Sequence, residues 1–374
     1  MTNKLLLALI VAVLIALPAG LALQGAPALV WRHVILAAGI MPLILGAMLY
    51  FVPVLTRSAS ANRALFLPLA ALMLGVLVVV DLQSGMARIP LLAAAAALVV
   101  AAVMAWTWRR RRGVFGTPHP GIDWYLYALA ALLLALLLIV SRAFWPEYSG
   151  LARVMHLHLN LIGFLGLTAV GTLRVLLPTV LGGRDPGALR FLRRQLPFAL
   201  FGTLAIAVGA AWSPPLALLG ALAWLSPAAG LVLALRNHES GWQLPAGAGV
   251  ALAAAALGWL AVLLAGAAHG LGAVSADKLL YLLLFLFLLP LVTGATSYLL
   301  PVWRWPGAAT AAQQAMRGQL TAGSGLRVAG FWLSALLVTF DVGFAAVPAI
   351  IVLVAYSAQV LFAFVRVGAS REHG

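Results

Sequence analysis

Two histidines in a long apolar stretch, residues 151–181, are the side chains of this chain best suited to chemistry. His156 and His158 are two residues apart, so on a regular helix their side chains point about 200° apart. The pair cannot readily chelate one ion and is better placed to serve two neighbouring sites, one on each face. Imidazole is the usual axial ligand of haem b and also binds copper and non-haem iron. The alternative is that each ring bonds a backbone carbonyl or water and packs a helix bundle.

The apolar stretch belongs to a threefold repeat. Residues 29–55 and 277–303 are similarly long and apolar. His33, His158 and Tyr281 each stand 13 positions before a glycine and 20 before a proline. These glycines and prolines are Gly46, Pro53, Gly171, Pro178, Gly294 and Pro301. The three starting residues are 125 and 123 positions apart, which predicts a repeat of about 124 residues. Within a single transmembrane domain, 1–374, the predicted repeats are residues 1–116, 117–240 and 241–374.

The composition places the chain in a lipid bilayer. Of its 374 residues, 64% are hydrophobic and only 8% are charged, and repeated apolar runs are long enough to cross a membrane. The net charge of +15 does not indicate a nucleic-acid partner, because the arginines lie between apolar runs, where membrane orientation rules place them. The chain has no cysteine, which excludes disulfides, thiolate metal sites and iron–sulfur clusters.

Twelve membrane-spanning helices are predicted, which gives an all-α polytopic bundle in three pseudo-repeated arcs of four. The predicted spans are residues 4–24, 28–55, 64–83, 88–108, 122–142, 150–181, 195–212, 214–235, 243–268, 277–303, 325–342 and 345–366. Pro42 and Pro290 lie inside spans and are expected to kink them. The N-terminal apolar segment has features of a signal peptide, but a retained first span makes the helix count even.

Lysine and arginine are distributed unequally between alternate connections. Seventeen lie on one predicted side and five on the other, so the richer side is predicted to be cytoplasmic, and both termini with it. The predicted location is the cytoplasmic membrane of a bacterium or archaeon. In this orientation the ring-bearing polar residues near the outer surface are His33, His156, His158, His269 and Tyr281. Three further histidines, in cytoplasmic connections or the tail, are predicted to be solvated: His119, His238 and His373.

The outer residues form the candidate cofactor site. His33, His156 and His158 are the leading ligands for haem b or another metal, and His269 and Tyr281 are second-rank candidates. The chain lacks the Cys-x-x-Cys-His attachment motif, so any haem is expected to be held non-covalently. One haem with two axial histidines leaves the third for a second, five-coordinate haem, or for copper or non-haem iron.

Arginines near this level are candidate partners for haem propionates. Arg32, Arg153 and Arg142 lie on the predicted outer side, and a guanidinium group suits a carboxylate. The alternative, given equal weight, is that they are ordinary arginines of the membrane interface.

The eight acidic residues lie at span ends or in connections. A carboxylate in mid-membrane is what a proton relay would use, so their placement argues against a proton pump or an ion-coupled transporter. A relay of hydroxyl groups and water through Thr168, Thr172 or Tyr50 remains open.

Three arcs of four helices with metal ligands near the outer surface resemble the catalytic subunit of haem–copper oxidases and nitric oxide reductases. In that superfamily the tenth helix carries His-x-His, whereas here His156 and His158 lie on the sixth span. The superfamily's copper site also uses two histidines on the seventh helix, and residues 195–212 contain none. A complete oxygen-reducing site is therefore not expected, and whether the chain is an oxidoreductase stays open.

The run HLHLNLIGFLGLTAVGTLRVLLPTVL, residues 156–181, is more closely similar to the NnrS-like family of twelve-span haem proteins linked to nitric oxide and denitrification. This resemblance implies b-type haem, one or two per chain, a possible second metal, and a role in nitrogen-oxide or respiratory metabolism. The expected function is to bind a diatomic gas, nitric oxide above all, or to transfer electrons near the outer face, with another redox or respiratory subunit as partner. Two alternatives are an assembly or structural partner of a respiratory complex, and a membrane transporter.

Overall fold

The chain is all-helical, as the sequence predicts. The computed structural model describes residues 2–23, 25–60, 64–183, 185–235, 246–305, 307 and 310–369. Helix makes up 84% of the structure, and the described residues contain no strand. The helices are α1 Thr2–Ala22, α2 Ala28–Thr56, α3 Phe66–Gln83, α4 Ile89–Arg112, α5 Gly121–Ser141, α6 Pro146–Val180, α7 Ala188–Trp212, α8 Pro214–Leu233, α9 Ala248–Gly270, α10 Ala276–Arg304, α11 Ala311–Thr339 and α12 Val347–Ala369.

Helices α2 to α12 are each long and apolar enough to cross a membrane. In α1 the stretch Ala12–Ala22 is a shorter apolar helix, and it falls within the first predicted span. The chain is therefore a multi-pass membrane protein, and the predicted polytopic bundle is confirmed. The largest difference in boundaries concerns residues 304–324, the connection between the predicted spans 277–303 and 325–342, because α11 already begins at Ala311. Residues 243–245, at the start of the ninth predicted span, lie outside the described residues.

The chain forms two compact units. The first comprises Met1–Thr172 with Pro186–Pro227, and the second comprises Leu173–Asp185 with Ala228–Gly374. The boundary between them falls within α6, so this helix contributes to both units. The single transmembrane domain and the ends of its repeats stay predictions.

The three predicted repeat helices, α2, α6 and α10, each contain a π-helical segment. The segments are Leu36–Ile40, Leu159–Gly166 and Leu283–Leu288. Each begins one to three residues after the residue that starts the repeat pattern, His33, His158 or Tyr281. π-Helical turns are rare and occur mostly as short bulges, frequently at functional sites. Their recurrence at matching positions supports the threefold repeat, while its arrangement in arcs stays a prediction.

Proline accounts for the π-helical segment in two of the three helices. Pro42 and Pro290 lie two residues beyond the ends of their segments, at equivalent positions of the repeat. A proline inside a helix has no N–H, and its ring clashes with the carbonyl four residues earlier. Before each proline the backbone therefore adopts the wider π-helical turn. The local change that the sequence predicts at Pro42 and Pro290 is thus a π-helical segment. In α6 the equivalent residue is Leu167, whose N–H stays bonded within the helix.

The glycine of each repeat helix packs closely against the first helix of its own repeat. A Cβ built on each glycine would lie 2.7, 2.8 and 3.0 Å from its neighbour in the pairs Gly46–Leu9, Gly171–Trp124 and Gly294–Ala251. Distances this short leave little room for a side chain. In each repeat, the glycine identified from its spacing therefore lies at an equivalent contact between the repeat helix and the first helix of that repeat.

Glycines also lie against the π-helical segments. A side chain at Gly258 of α9 would collide with the backbone carbonyl of Leu286 in α10, and one at Gly75 of α3 would collide with that of Ala37 in α2. In α6 the glycine belongs to the segment itself, where Gly163 packs against α5. The widened turns are thus held by close approach of neighbouring helices.

In the second unit, α11 is interrupted between Thr321 and Ser324, and Arg327 caps the break. Arg327 is only 4% exposed, and it donates to the carbonyl oxygen of Leu320 at 3.2 Å. Its guanidinium lies 4.2 Å from the centre of the Tyr356 ring. A cation beside the last carbonyls of a helix is favourable, because those carbonyls have no partner within the helix.

Candidate functional site

His33 and His156 both lie in the first unit, on different helices. His33 lies in the first α-helical part of α2, Ala28–Ile35, and His156 in that of α6, Ser149–His158. The two imidazoles interact electrostatically with each other, and His156 also interacts with Arg142, which follows α5. Both rings are half-buried. Two of the three leading predicted ligands, on different helices, are therefore near enough for their charges to interact.

The histidines of the predicted outer end share one type of hydrogen bond. Nδ1 of each donates to a backbone carbonyl oxygen, in the pairs His33–Leu29 at 2.7 Å, His156–Ala135 at 2.9 Å, His158–Val154 at 2.9 Å and His269–Val274 at 2.6 Å. A carbonyl only accepts, so in the neutral ring Nδ1 carries the proton and Nε2 the lone pair. Histidines that bind metal almost always have such a partner on the other ring nitrogen. These rings are thus in the tautomer that a metal requires.

The hydrogen bond of His156 differs from those of its neighbours because it reaches another helix. Its acceptor, Ala135, lies in α5 and is fully buried in a small apolar cluster with Leu159. His33 and His158 bond instead to a carbonyl four residues earlier in their own helices. The packing of α5 against α6 therefore fixes the His156 ring as well as the backbone that carries it.

The three leading ligands do not form one metal cage. Among the described residues, no three His, Asp or Glu side chains are grouped so that they could hold one ion. His33, His156 and His158 therefore do not converge on a single point. The expectation that His156 and His158 serve separate sites on different faces of α6 stays a prediction.

His269 and Tyr281, the second-rank candidates, belong to the second unit. His269 lies in the last turn of α9, and its hydrogen bond to Val274 closes the connection to α10. Tyr281 lies just before the π-helical segment of α10, and its ring stacks on Phe285 with 5.9 Å between centres. Both side chains are half-buried, and a role for either in binding a cofactor stays a prediction.

Two arginines flank the connection between α5 and α6 on the side of His156. Nε of Arg142 donates to the hydroxyl of Ser149 at 2.5 Å, and Arg142 also interacts electrostatically with the exposed Arg153. Neither has an ion-pair partner among the described residues. Arg32 is half-buried, with its guanidinium 5.5 Å from the centre of the Trp31 ring. His156 thus interacts with one cation, Arg142, which in turn interacts with a second, Arg153, and a pair of arginines suits an anionic ligand.

Asn160 is a polar residue of this site that the sequence patterns did not reveal. It follows His156 by four residues, in the π-helical segment of α6. Its Nδ2 donates to the backbone oxygen of His156 at 2.7 Å and lies 3.4 Å from both ring nitrogens of that histidine. The signal available in the sequence is its spacing, since an asparagine one turn after a histidine in an apolar run has few other polar groups to contact.

His119 differs from the histidines of the outer end. It is half-buried rather than solvated, so the expectation for this residue is wrong, while His238 and His373 lie outside the described residues. Its Nδ1 accepts the N–H of Gly121 at 3.1 Å, which places the proton of the neutral ring on Nε2. Burial, followed by the charge of Arg193, lowers the pKa of His119.

The hydroxyl groups considered as a relay are partly linked. The buried Tyr125 of α5 shares a hydrogen bond with Thr172 of α6 at 2.9 Å, and the hydroxyl of Thr172 donates to the backbone oxygen of Thr168 at 2.7 Å. Among the described residues these bonds join α5 to α6 without reaching the histidine pair. The relay stays a prediction.

The fold and the site together define an all-helical, multi-pass membrane protein with two imidazoles and two unpaired cations close together. Comparison with protein-family models and with curated proteins gives no match for this chain. The resemblance to NnrS-like proteins and to haem–copper oxidases is therefore carried by the sequence alone.

Proposed function

We propose that this chain is an integral membrane haem protein that holds haem b between α2 and α6. The observation that carries the proposal is that Nδ1 of both His33 and His156 is bonded to a backbone carbonyl, which leaves the lone pair on Nε2, and that the two rings interact electrostatically. An ionisable residue within a membrane span is costly, and by default it indicates a functional site. What supports a metal is that both rings leave Nε2 free while Nδ1 has the partner that a metal-ligating histidine almost always has.

The surroundings of the pair fit a haem. Arg142 and Arg153, which have no ion-pair partner among the described residues, suit its propionates. The absence of the Cys-x-x-Cys-His motif implies non-covalent binding. His158, on another face of α6, is the proposed ligand of any second haem, copper or non-haem iron.

A haem supplies one-electron transfer and, at an open axial position, reversible binding of a diatomic gas. The chain contributes orientation and charge: α5 fixes His156 through Ala135, and the two arginines neutralise carboxylates. The function that follows is binding of nitric oxide, or electron transfer to a neighbouring redox subunit. Both would take place at the outer side of a bacterial or archaeal cytoplasmic membrane, with the termini in the cytoplasm. Because the acidic residues lie at span ends or in connections, we expect no proton pumping.

The test is the reduced-minus-oxidised absorbance spectrum of protein purified from haem-replete cells. The wild-type protein should give a b-type spectrum, and a shift on addition of nitric oxide or carbon monoxide would report the open axial position of a second haem held by His158. His33→Ala and His156→Ala should each lower the ratio of haem to protein about tenfold or more, because each removes a ligand. His119→Ala is the matched control, since this histidine has the opposite tautomer, and it should keep the wild-type ratio.

A colourless, iron-free wild-type preparation would rule the proposal out and leave the transporter as the alternative. Full haem content in both alanine variants would mean that the ligands lie elsewhere. Co-purification with oxidase or reductase subunits, without any response to gas, would favour the assembly partner.

A further inference from the structure

One end of the first unit brings together the termini of four helices. Nη1 of Arg110, near the end of α4, donates to the hydroxyl of Ser58, just after α2, at 2.6 Å. Nε1 of Trp124, at the start of α5, donates to the carbonyl oxygen of Leu192 in the second turn of α7 at 2.9 Å. The ends of α2 and α4 are thus joined to each other, and so are the starts of α5 and α7.

Arginine dominates this end of the unit. Six arginines here are exposed and have no ion-pair partner among the described residues: Arg57, Arg109, Arg112, Arg190, Arg193 and Arg194. The acid at this end, Asp123 of α5, is paired with Nε of Arg111 of α4 at 2.6 Å, which also joins these two helices. The other acids of the first unit, Asp81 and Glu147, lie before α4 begins and after α5 ends. The positive charge of the six arginines is therefore not neutralised within the unit.

The arginines of α4 lie at the depth of lipid headgroups. A helix of 24 residues is about 36 Å long, which exceeds the hydrocarbon core of about 30 Å. Trp108, which is 47% exposed, is a residue typical of the membrane interface, and Arg109 follows it directly. In the last turn of α4, Arg109 and Arg112 therefore extend to the level of the phosphate groups.

The arginines of α7 are placed against the helix macrodipole. The N-terminus of a helix is partially positive, which favours an anion and disfavours a cation. The first turn of α7 has no acidic residue, yet Arg190, Arg193 and Arg194 lie in its first two turns. Burial, followed by the charge of Arg193, lowers the pKa of His119, so this positive charge also acts on the connection between α4 and α5. An anion beside the start of α7 would be favoured by the helix terminus and by the guanidinium groups together.

We propose that this end of the first unit binds the headgroups of anionic phospholipids. Guanidinium groups bind phosphate oxygens through charge-assisted hydrogen bonds that are often bidentate. The six exposed arginines come from three segments of the chain, so several of them can bind headgroup phosphates at the same time. A lipid fits better than a free anion, because the arginines directly adjoin apolar spans along which acyl chains can lie. The proposal does not depend on the haem function.

The test is binding of short-chain phosphatidylglycerol to the purified protein in a neutral detergent, measured by native mass spectrometry. Arg193→Gln should weaken binding about fivefold, the contribution of one arginine near an anionic lipid surface. Replacing Arg190, Arg193 and Arg194 together by glutamine should weaken it about tenfold or more. Replacing the same three by lysine keeps the charge and should leave the affinity within about threefold of wild type.

Arg88→Gln is the matched control for Arg193→Gln. Arg88 is also exposed and lies at the start of a helix, α4, but at the opposite end from the six arginines. Its removal should change the affinity for phosphatidylglycerol by less than about twofold, because charges far apart in water are screened. Phosphatidylcholine, which has no net charge, and inorganic phosphate, which has no acyl chains, are the two comparison probes.

Equal affinity for phosphatidylglycerol and phosphatidylcholine would overturn the proposal, and so would equal losses in Arg193→Gln and Arg88→Gln. If inorganic phosphate displaces phosphatidylglycerol at equal concentration, the surface holds a free anion and the lipid proposal is wrong. If the triple glutamine variant does not fold, Arg193→Gln and the triple lysine variant decide, since binding must follow the charge in both. Haem is not measured in these experiments, so a failure of the haem proposal is distinguishable from a failure of this one.

Discussion

Helices α6 and α10 share one framework and differ in the side chains around it. Each has a π-helical segment beginning one or two residues after the ring-bearing residue of the repeat, and each packs a glycine against the first helix of its repeat. Where α6 carries His156 and Asn160, α10 carries Leu279 and Leu283 at the equivalent positions. The framework by itself therefore does not specify chemistry. It provides a widened turn at a fixed depth, and the residues beside that turn decide whether a ligand can be held.

The largest expected effect is on the free energy of unfolding, and its size differs between a variant that affects α10 and one in α6. Gly258→Ala places a methyl group on the backbone carbonyl of Leu286 in α10, which has no flexible end that could move. Gly163→Ala in α6 meets the side chain of Ala131 instead. We expect the free energy of unfolding in detergent to fall by about 3 kcal/mol or more for Gly258→Ala, which is the upper end of the range for overpacking. For Gly163→Ala we expect a fall of about 1 to 2 kcal/mol, within that range.

Gly266→Ala is the control for these two variants. It lies in α9, as Gly258 does, but its nearest neighbour would be Leu279 at 4.0 Å, an ordinary contact. It should leave stability unchanged or raise it by up to about 1 kcal/mol, the gain of alanine over glycine in a helix. Equal losses for Gly258→Ala and Gly266→Ala would show that the backbone contact with α10 is not tight.

The next effect concerns haem content. Tyr281→Phe in α10 should retain the wild-type ratio of haem to protein, whereas His156→Ala in α6 should lower it about tenfold or more. Tyr281→His should not raise the ratio, because α10 lacks counterparts of His156 and Asn160. The ratio of haem to protein is measured by the pyridine haemochrome assay on protein of known concentration. If Tyr281→Phe loses as much haem as His156→Ala, the chemical contrast between the two helices is wrong.

The smallest expected effect is the loss of unfolding free energy when a tyrosine hydroxyl that bonds a neighbouring helix is removed. Tyr125 of α5 bonds Thr172 of α6 at 2.9 Å, while Tyr356 of α12 contacts the hydroxyl of Ser297 at 3.0 Å and the backbone oxygen of Thr293 at 3.1 Å in α10. Tyr125→Phe should cost about 1 kcal/mol, the typical value of one hydrogen bond, and Tyr356→Phe somewhat more. Urea titration in detergent can rank the two variants, and the reverse order would contradict this account of how α10 is held.

The sequence predicts the helix count and most helix positions because a membrane span is a local property. About 20 apolar residues are required to cross a bilayer, wherever the chain goes next. The length and apolar character of a span could not predict the helix at residues 311–321, because that segment is polar. Residues 311–321 form a helix because Arg327 and the residues around it cap its end, and that contact depends on the folded structure.

The candidate site was predicted in part. His33 and His156 are conspicuous because imidazoles in an apolar run are costly, so their residue type alone marks them. The electrostatic interaction between their rings could not be predicted, since it depends on where the folded chain places α2 and α6. Asn160 was missed because its role depends on a ring one turn earlier being held by Ala135 of another helix. The repeat spacing identified Tyr281 as an equivalent of His158, yet equivalence in the framework says nothing about ligands.

The π-helical segment also sets the angular phase of α6. Each residue of an α-helix advances about 100° around the axis, and a π-helical turn takes in one residue more than an α-helical turn. The part of α6 that carries His156 is therefore rotated relative to the part that carries Gly171, compared with an uninterrupted α-helix. If the same residues instead formed an uninterrupted α-helix, every side chain of the site would still be present in the chain. With Gly171 still seated on Trp124, however, the imidazole would turn away from His33 by about a quarter of a circle.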